Sequence, residues 1–254
     1  MKLNFSRQGQ GPTVILLHGL FGSLSNLGLA AKALADEYSV YQVDLRNHGA
    51  SPHSPEMNYS NMAADIVELM DNEHIEQAHL LGHSMGGKVA MQVALSVPHR
   101  IGKLIVADIA PVTYPRHPNP ILDGLRVIEQ SRITTRQQAD QLLNNYVETP
   151  AVRAFLLKNL IRQENGHYGL KLNLGAITEH YEELAQAPAG KAFSGPTLFL
   201  KGMDSAYIQS KHKNSILALF PNAKVKVING AGHWLHSDKP ETFSRLVKQF
   251  LKDA

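Results

Sequence analysis

Short apolar runs recur along the chain and predict the strands of one sheet. Most runs are continuously apolar rather than alternating, which is typical of parallel strands covered on both faces. Helical patterns lie between them, so we expect a mainly parallel sheet wrapped by helices. The six runs are residues 14–17, 40–43, 79–81, 104–107, 197–200 and 225–228. An antiparallel edge strand is predicted at residues 2–6, with a turn at residues 8–12.

The spacing of these runs is uneven, and one gap predicts an insertion. Most neighbouring strands are one helix apart, whereas residues 108–196 separate the fourth run from the fifth. Helical patterns fill this gap at residues 121–129, 135–146, 151–161 and 174–185, with proline-rich breaks at 111–120, Pro150 and Pro188. We therefore predict an α/β core formed by residues 1–111 and 196–254. Residues 112–195 are predicted to form a helical cap, inserted before the penultimate strand, over the carboxyl edge where open α/β sheets bind ligands.

The stretch LLGHSMGGK, residues 80–88, combines the end of an apolar strand, a serine and the start of a helix. Ser84 has a glycine two residues before it and another two residues after it, at Gly82 and Gly86. A sharp turn between a strand and a helix leaves no room for side chains at those two positions. The pattern predicts a nucleophile elbow that aims the Ser84 hydroxyl at a helix N-terminus, where developing negative charge is favoured.

Two other interpretations of this stretch remain open from its residues alone. Gly82, Gly87 and Lys88 fit most of a phosphate-binding loop, but Val89 stands where that motif places a magnesium-binding Ser or Thr. The serine could also occupy an ordinary glycine-rich turn. The rest of the chain decides between them.

Composition narrows the class of protein. The chain has 254 residues, 43% of them hydrophobic, which suits one large α/β domain. Its apolar runs are too short to cross a bilayer, and its first residues lack the apolar core of an export signal, so we expect a soluble, cytoplasmic protein. It has no cysteine, which excludes disulfides, thiolate metal sites and a cysteine nucleophile. A net charge of +3 without a basic block gives no indication of a nucleic-acid partner.

A glycine-flanked histidine near the C-terminus is the candidate general base. His233 follows the last apolar run in the loop NGAGHW, residues 229–234, and a flexible loop at a strand's carboxyl end can reach across to a serine turn. His236 lies three residues further on, but the sequence offers no partner ligands with metal-site spacing. The acid has two candidates, Asp108 after the fourth run and Asp204 after the fifth, since both fit the chain order Ser, Asp, His.

Two further loops follow the first two core strands. The loop HGLFGS, residues 18–23, can present the N–H of Leu20 opposite that of Met85, and we nominate both as oxyanion donors, although the loop could be a plain turn. We expect His18 to be structural. In the second loop, residues 44–51, we expect Asp44 and Arg46 to form a hydrogen-bonded pair that fixes the loop, with no catalytic function for Asp44 or His48.

These motifs make the chain resemble the α/β-hydrolase superfamily over nearly its whole length. More narrowly it is similar to YbfF-type bacterial esterases and related mitochondrial abhydrolase proteins. The matching segments are residues 18–23, 44–49, 82–88, 108–112 and 230–234, in the right order. The resemblance implies a serine esterase or thioesterase that acts on carboxylic and acyl-CoA esters. In the wider superfamily the acid would fall at Ser205, one place beyond Asp204, whereas the YbfF-type branch implies Asp108.

The resulting hypothesis is a serine hydrolase that needs no cofactor. Ser84, His233 and Asp108 would act through an acyl-enzyme on a small ester or thioester. A C–C bond hydrolase with the same three residues and a non-catalytic ligand-binding relative are the alternatives, whereas dehalogenases require an aspartate at the position of Ser84.

The predicted cap carries arginines that could meet a phosphate-bearing leaving group such as coenzyme A. Acidic residues are interleaved with them, as on a solvated helix face. The arginines are Arg116, Arg126, Arg132 and Arg136, and the acidic residues are Asp123 and Glu129.

Overall fold

The computed structural model describes residues 1–115 and 119–253. The strands are β1 Phe5–Gln8, β2 Thr13–Leu17, β3 Ser39–Val43, β4 Ala78–His83, β5 Ile101–Ala107, β6 Leu160–Arg162, β7 Tyr168–Leu170, β8 Thr197–Gly202 and β9 Ala223–Ile228. In these residues, seven strands form one sheet in the order β1-β3-β2-β4-β5-β8-β9, and β6 pairs with β7 in a separate hairpin.

Helices cover both faces of the sheet. They are α1 Gly28–Leu34, α2 Tyr59–Asn72, α3 Met85–Ser96, α4 Pro120–Gln130, α5 Arg136–Asn144, α6 Pro150–Leu156, α7 Leu174–Glu179, α8 Tyr181–Ala185, α9 Lys213–Leu219, α10 Leu235–Asp238 and α11 Pro240–Lys252. Among the described residues, no helix combines the length and apolar character needed to span a bilayer.

The sheet confirms the strand predictions. Each of the six apolar runs lies inside a strand, and the strands from β2 to β9 in the seven-stranded sheet pair in parallel. The edge strand β1 is antiparallel to β3 as predicted, with Phe5 opposite Val43, but it begins three residues later than expected. Gly9 and Gly11, with φ values of 76° and 115°, lie in the predicted turn that follows it.

Alternate residues of the central strands pack into two apolar clusters, one on each face. In β2, Ile15 and Leu17 pack on the face covered by α2 and α3. Val14 and Leu16 pack on the opposite face, against α1 and α11. Burial of both faces explains why these strands are apolar throughout.

In the described part of the segment between β5 and β8 lie the five helices α4 to α8 and the hairpin of β6 and β7. Buried residues of this segment, such as Leu125 and Leu156, join the same cluster as Leu80 of the sheet. The helix predicted at 151–161 ends at Leu156, and that predicted at 174–185 is divided at His180. Within the predicted break at 111–120, residues 116–118 lie outside the described residues.

Candidate active site

Ser84 lies at the junction of β4 and α3, as predicted from the sequence. Its backbone has φ 53° and ψ −119°, and its N–H donates to the carbonyl of Ala107 at 2.9 Å. Residues other than glycine rarely adopt a positive φ, and such strained backbone is concentrated at functional sites. The turn places the serine directly before the N-terminus of α3, where backbone N–H groups lack helical partners.

The two glycines around Ser84 are required by close packing of the backbone. A Cβ atom at Gly82 would lie 2.1 Å from the carbonyl oxygen of Gly86, and one at Gly86 would lie 2.3 Å from that of Leu17. No side chain fits at such distances. The structure therefore confirms that the turn leaves no room for side chains at these two positions, which was the basis for predicting an elbow.

His233 lies in the loop after β9 and reaches the serine. Its Nε2 is 3.0 Å from the Oγ of Ser84. The loop crosses directly above β8, because a Cβ at Gly202 would lie 2.2 Å from the carbonyl oxygen of Gly232. The Nε2 of His83 donates to the carbonyl of His233 at 2.8 Å, and burial keeps the pKa of His83 well below 6.5. A neutral His83 thus holds the backbone of His233 in place.

Asp108 follows β5 and meets the other side of the His233 ring. Its Oδ2 accepts a hydrogen bond from Nδ1 of His233 at 2.8 Å, and its Oδ1 accepts one from the N–H of Gly202 at 3.0 Å. The hydroxyl of Ser205 donates to the same Oδ2. Asp108 is fully buried. These donors fix the carboxylate, which in turn can fix the tautomer and orientation of the imidazole.

The other candidate acid, Asp204, is not brought to the histidine. It is exposed, and its backbone N–H donates to the carbonyl of Ala231 at 3.0 Å. Its neighbour Ser205 occupies the space beside the carboxylate of Asp108 instead. Of the two candidates, only Asp108 is in contact with His233.

The two nominated oxyanion donors lie beside the serine: Met85 follows it directly, and a Cβ at Gly19, next to Leu20, would be 3.3 Å from the Cβ of Ser84. Within the described chain, the N–H of Leu20 meets no acceptor, and Met85 is the first residue of α3, where a helix offers its N–H no partner. The loop that carries Leu20 is held from two sides. The N–H of Phe21 donates to Nε2 of His48 at 3.2 Å, and Nδ2 of Asn159 donates to the carbonyl of Phe21 at 2.8 Å.

Two buried histidines support this loop. In His18, Nδ1 bonds the carbonyl of Gly19 at 2.8 Å and Nε2 accepts from the N–H of Leu45 at 3.1 Å. Burial lowers the pKa of His18, and it lowers that of His48 to about 3. Both rings are therefore neutral acceptors at neutral pH. The hydrogen bonds of both rings hold the loop, as we expect of a structural His18.

The predicted pair of Asp44 and Arg46 is wrong. Arg46 binds Asp65 of α2 through two hydrogen bonds of 2.6 and 2.9 Å. Asp44 instead accepts from the backbone N–H groups of Leu24 and Ala50, at 2.7 and 2.9 Å. Both side chains fix the loop as expected, but Arg46 does so through α2 and Asp44 through backbone N–H groups, and not through each other.

A cavity of about 1000 Å³ opens at the serine and is bounded by Leu20, Met85 and Lys88. Its walls are mainly aliphatic and aromatic, and most come from the inserted segment and from the loop after β8. The aliphatic and aromatic residues of the wall include Tyr59, Ile109, Val112, Tyr114, Tyr181, Leu184 and Tyr207. Such a lining suits the apolar part of a small substrate.

Tyr207 is a site residue that the sequence did not indicate. Its ring stacks on that of His233 with centroids 4.1 Å apart and an interplanar angle of 26°. The hydroxyl of Tyr114 donates to the Tyr207 carbonyl at 2.5 Å, which fixes the loop. No local motif surrounds Tyr207, so only the tertiary structure reveals that it covers the histidine.

Lys88 is a second residue whose position the sequence did not predict. It is 1% exposed, and its Nζ donates to the carbonyls of Ala185 and Gln186 at 2.8 and 2.5 Å. Nζ also lies 4.9 Å from the centroid of the Tyr114 ring. Burial lowers the pKa of Lys88 from 10.5 to about 7. The side chain thus binds the end of α8. It is not arranged like the lysine of a phosphate-binding loop, the alternative that the sequence left open.

The arginines of the predicted cap do not line the cavity at Ser84 in the described part of the chain. Arg126 pairs with Asp123 at 3.2 Å on the surface, and Arg132 borders a separate cavity of about 430 Å³. Arg136 donates to a backbone carbonyl. Arg116 lies outside the described residues. Arg126 thus lies on a solvated helix face, which is the interpretation that the sequence favoured, and Arg126, Arg132 and Arg136 do not border the cavity at the serine.

His236 packs against His83 with ring centroids 4.5 Å apart. Burial lowers the pKa of His236 to about 4, and its Nδ1 has no hydrogen-bond partner in the described structure. Across residues 1–115 and 119–253, no three His, Cys, Asp or Glu side chains lie together in a way that could hold a metal ion.

Comparisons with known proteins identify the family to which the chain belongs. Residues 14–246 match the alpha/beta hydrolase family. Esterase YbfF of Escherichia coli K12 is 38% identical, over 100% of both chains. The sn-1-specific diacylglycerol lipase ABHD11 of Xenopus laevis is 41% identical, over 96% of this chain and 81% of the lipase. A solved marine microorganism esterase superposes with a TM-score of 0.95 at 40% identity and covers 98% of this chain and 99% of its own.

Proposed function

The chain belongs to the alpha/beta hydrolase family and is a carboxylic ester hydrolase, and we propose that Ser84, His233 and Asp108 perform the hydrolysis through an acyl-enzyme intermediate. One observation carries this proposal. The Ser84 hydroxyl, the two ring nitrogens of His233 and the Asp108 carboxylate form one chain of hydrogen bonds, of 3.0 and 2.8 Å, and Ser84 borders the cavity.

In the first step, the Oγ of Ser84 attacks the ester carbonyl carbon while Nε2 of His233 takes the hydroxyl proton. The carbonyl oxygen becomes an oxyanion, to which the N–H groups of Leu20 and Met85 donate. Each such donor stabilises the transition state by about 3 kcal/mol. The bond to the leaving alcohol then breaks, and the alcohol oxygen takes the proton from Nε2. Asp108 stays ionised throughout and stabilises the imidazolium.

In the second step, water replaces the alcohol. His233 removes a proton from the water as its oxygen attacks the acyl carbon, and the same two N–H groups stabilise the new oxyanion. When the bond to Oγ breaks, the proton returns from Nε2 to Ser84 and the carboxylic acid leaves. The enzyme then has its starting protonation.

We propose that residues 112–195 act as a cap that forms the acyl pocket. Support comes from the cavity wall, to which this segment contributes Val112, Tyr114, Tyr181 and Leu184.

The chemistry applies equally to thioesters, so acyl-CoA esters belong to the proposed substrate range. A cytoplasmic location also stays a prediction. Rates for nitrophenyl esters of increasing acyl length, measured beside CoA thioesters of the same acids, would define the leaving group.

The direct test is Ser84→Ala. We expect the variant to hydrolyse 4-nitrophenyl butyrate about ten-thousandfold more slowly or worse, with an unchanged thermal unfolding curve. Ser96→Ala is the matched control, because Ser96 is exposed at the other end of the same helix. Near-normal turnover by a folded Ser84→Ala variant would rule out the assignment.

A further inference from the structure

Lys88 is a buried lysine in the wall of the cavity that contains Ser84. In the described residues, no carboxylate lies within ion-pair distance of its Nζ. The two hydrogen bonds that Nζ makes there, to the carbonyls of Ala185 and Gln186, use two of its three N–H donors. Within the described chain, the third donor has no oxygen partner.

The surroundings of Lys88 offset its charge only in part. The two carbonyls belong to the C-terminal end of α8, and the Tyr114 and Tyr59 rings lie 4.9 and 5.6 Å from Nζ. The two phenol groups donate elsewhere, Tyr59 to the Leu184 carbonyl at 2.6 Å and Tyr114 to that of Tyr207. Burial of a charge without an opposite charge is costly. An anion that enters the cavity would therefore gain a strong, charge-assisted hydrogen bond.

The position of Lys88 relative to Ser84 limits which part of a substrate could supply this anion. Ser84 directly precedes α3 and Lys88 lies in the first turn of that helix, where its N–H donates to the carbonyl of Ser84 at 3.1 Å, and both residues border the same cavity. An acyl group bonded to Ser84 would thus have its far end within a few carbon atoms of Lys88. The other charged residues of the cavity wall, Glu182 and Lys211, are exposed.

We propose that Lys88 forms a subsite for a carboxylate at the far end of the acyl group. The preferred substrates are then monoesters of short dicarboxylic acids. The third N–H of the ammonium donates to the carboxylate, and the charge pair replaces an unpaired buried cation. This inference rests on the proposed function, because it requires the acyl group to be attached at Ser84.

The test compares monoethyl esters of succinic, glutaric and adipic acids. Each is paired with the ester in which a primary amide replaces the free carboxylate, so that the two differ in charge but hardly in shape. For at least one chain length, we expect the wild-type kcat/KM to favour the carboxylate by about tenfold or more, as a charged hydrogen bond would. Lys88→Met should bring this ratio close to one, chiefly through a higher KM for the carboxylate ester.

Lys103→Met is the matched control. Lys103 also donates to backbone carbonyls at the end of a helix, those of Phe250 and Leu251, and lies over the Phe250 ring, but it does not line the cavity. We expect this variant to keep the wild-type ratio. If Lys88→Met does not fold, Lys88→Gln keeps donors for the two carbonyls and removes the charge, and it should lose the preference in the same way.

Two results would overturn the inference. The wild type could hydrolyse the amide ester at least as fast at every chain length. Alternatively, a Lys88 variant could lower both rates equally, as expected if the lysine only fastens α8 to the core. Neither result concerns the proposed function, which fails only if the folded Ser84→Ala variant still hydrolyses these esters.

Discussion

The core and the inserted segment contribute to the site in different ways. Ser84, Asp108 and His233 lie on loops at the carboxyl edge of the sheet, where backbone contacts too close for a side chain fix their positions. The inserted segment is fastened to the core by side chains that bind backbone carbonyls, for example Tyr59 to Leu184 and Gln92 to Ala189. The reacting atoms are therefore rigidly placed, whereas the pocket walls can vary without disturbing them.

The largest effect should come from the acid on the core. Asp108→Asn keeps the shape of the side chain but removes the carboxylate that holds the His233 tautomer, so kcat should fall about ten-thousandfold. The measurement is turnover of 4-nitrophenyl butyrate, with folding checked by circular dichroism.

Asp204→Asn is the control for this variant, since Asp204 is exposed and does not contact His233. Its turnover should remain within twofold or so of the wild type, as for a surface substitution. If Asp204→Asn were the more damaging of the two, the acid would be misassigned.

Glycine substitutions measure the difference in rigidity between the two regions. Gly86→Ala forces a Cβ to within 2.3 Å of a backbone oxygen, so the free energy of unfolding should fall by about 3 kcal/mol. In the inserted segment, a Cβ at Gly175 would come no closer than 3.7 Å to its nearest neighbour. Gly175→Ala in α7 should therefore be neutral or stabilise by up to about 1 kcal/mol.

Urea unfolding of the two variants gives both values. Equal losses of stability at Gly86 and Gly175 would contradict the contrast between the sterically closed elbow and the open surroundings of Gly175.

A smaller effect on kcat is expected where the inserted segment supports the loop that carries Leu20. Asn159 donates to the carbonyl of Phe21 and so holds the loop that carries Leu20. Asn159→Ala removes this hydrogen bond, worth about 1 kcal/mol, together with one to the carbonyl of Leu156, and should lower kcat about fivefold with little change in KM. Asn222→Ala, which removes a similar bond to the carbonyl of Ser194 away from the cavity, should leave kcat as it is. A change in KM alone would mean that Asn159 serves the pocket and not the oxyanion loop.

The features that could be predicted from the sequence are those with local causes. The elbow depends on glycines within two residues of Ser84, and His233 stands in a glycine-rich loop directly after a strand. Both signals are complete within one short segment. Asp108 was one of two candidates because its contact with His233 spans 125 positions of the chain, and no local pattern distinguishes it from Asp204.

The features that the sequence did not reveal depend on distant partners. Arg46 binds Asp65 of α2, Lys88 reaches the end of α8, and Tyr207 covers His233, none of which leaves a local trace. The hairpin of β6 and β7 is different, because Asn165 and Gly166, with φ 82° at the glycine, form a turn signal that could have been recognised. Its strands of three residues were too short for periodicity to separate them from the preceding helix.

The central claim is that Ser84 carries the acyl group, and a slow substrate tests it most directly. A 4-nitrophenyl dimethylcarbamate should transfer one carbamoyl group per chain, release one nitrophenol and abolish ester hydrolysis. Peptide mass spectrometry should place the added mass on the peptide that contains Ser84, with no adduct on the Ser84→Ala variant. Modification of another residue, or undiminished ester hydrolysis by fully carbamoylated protein, would contradict the account.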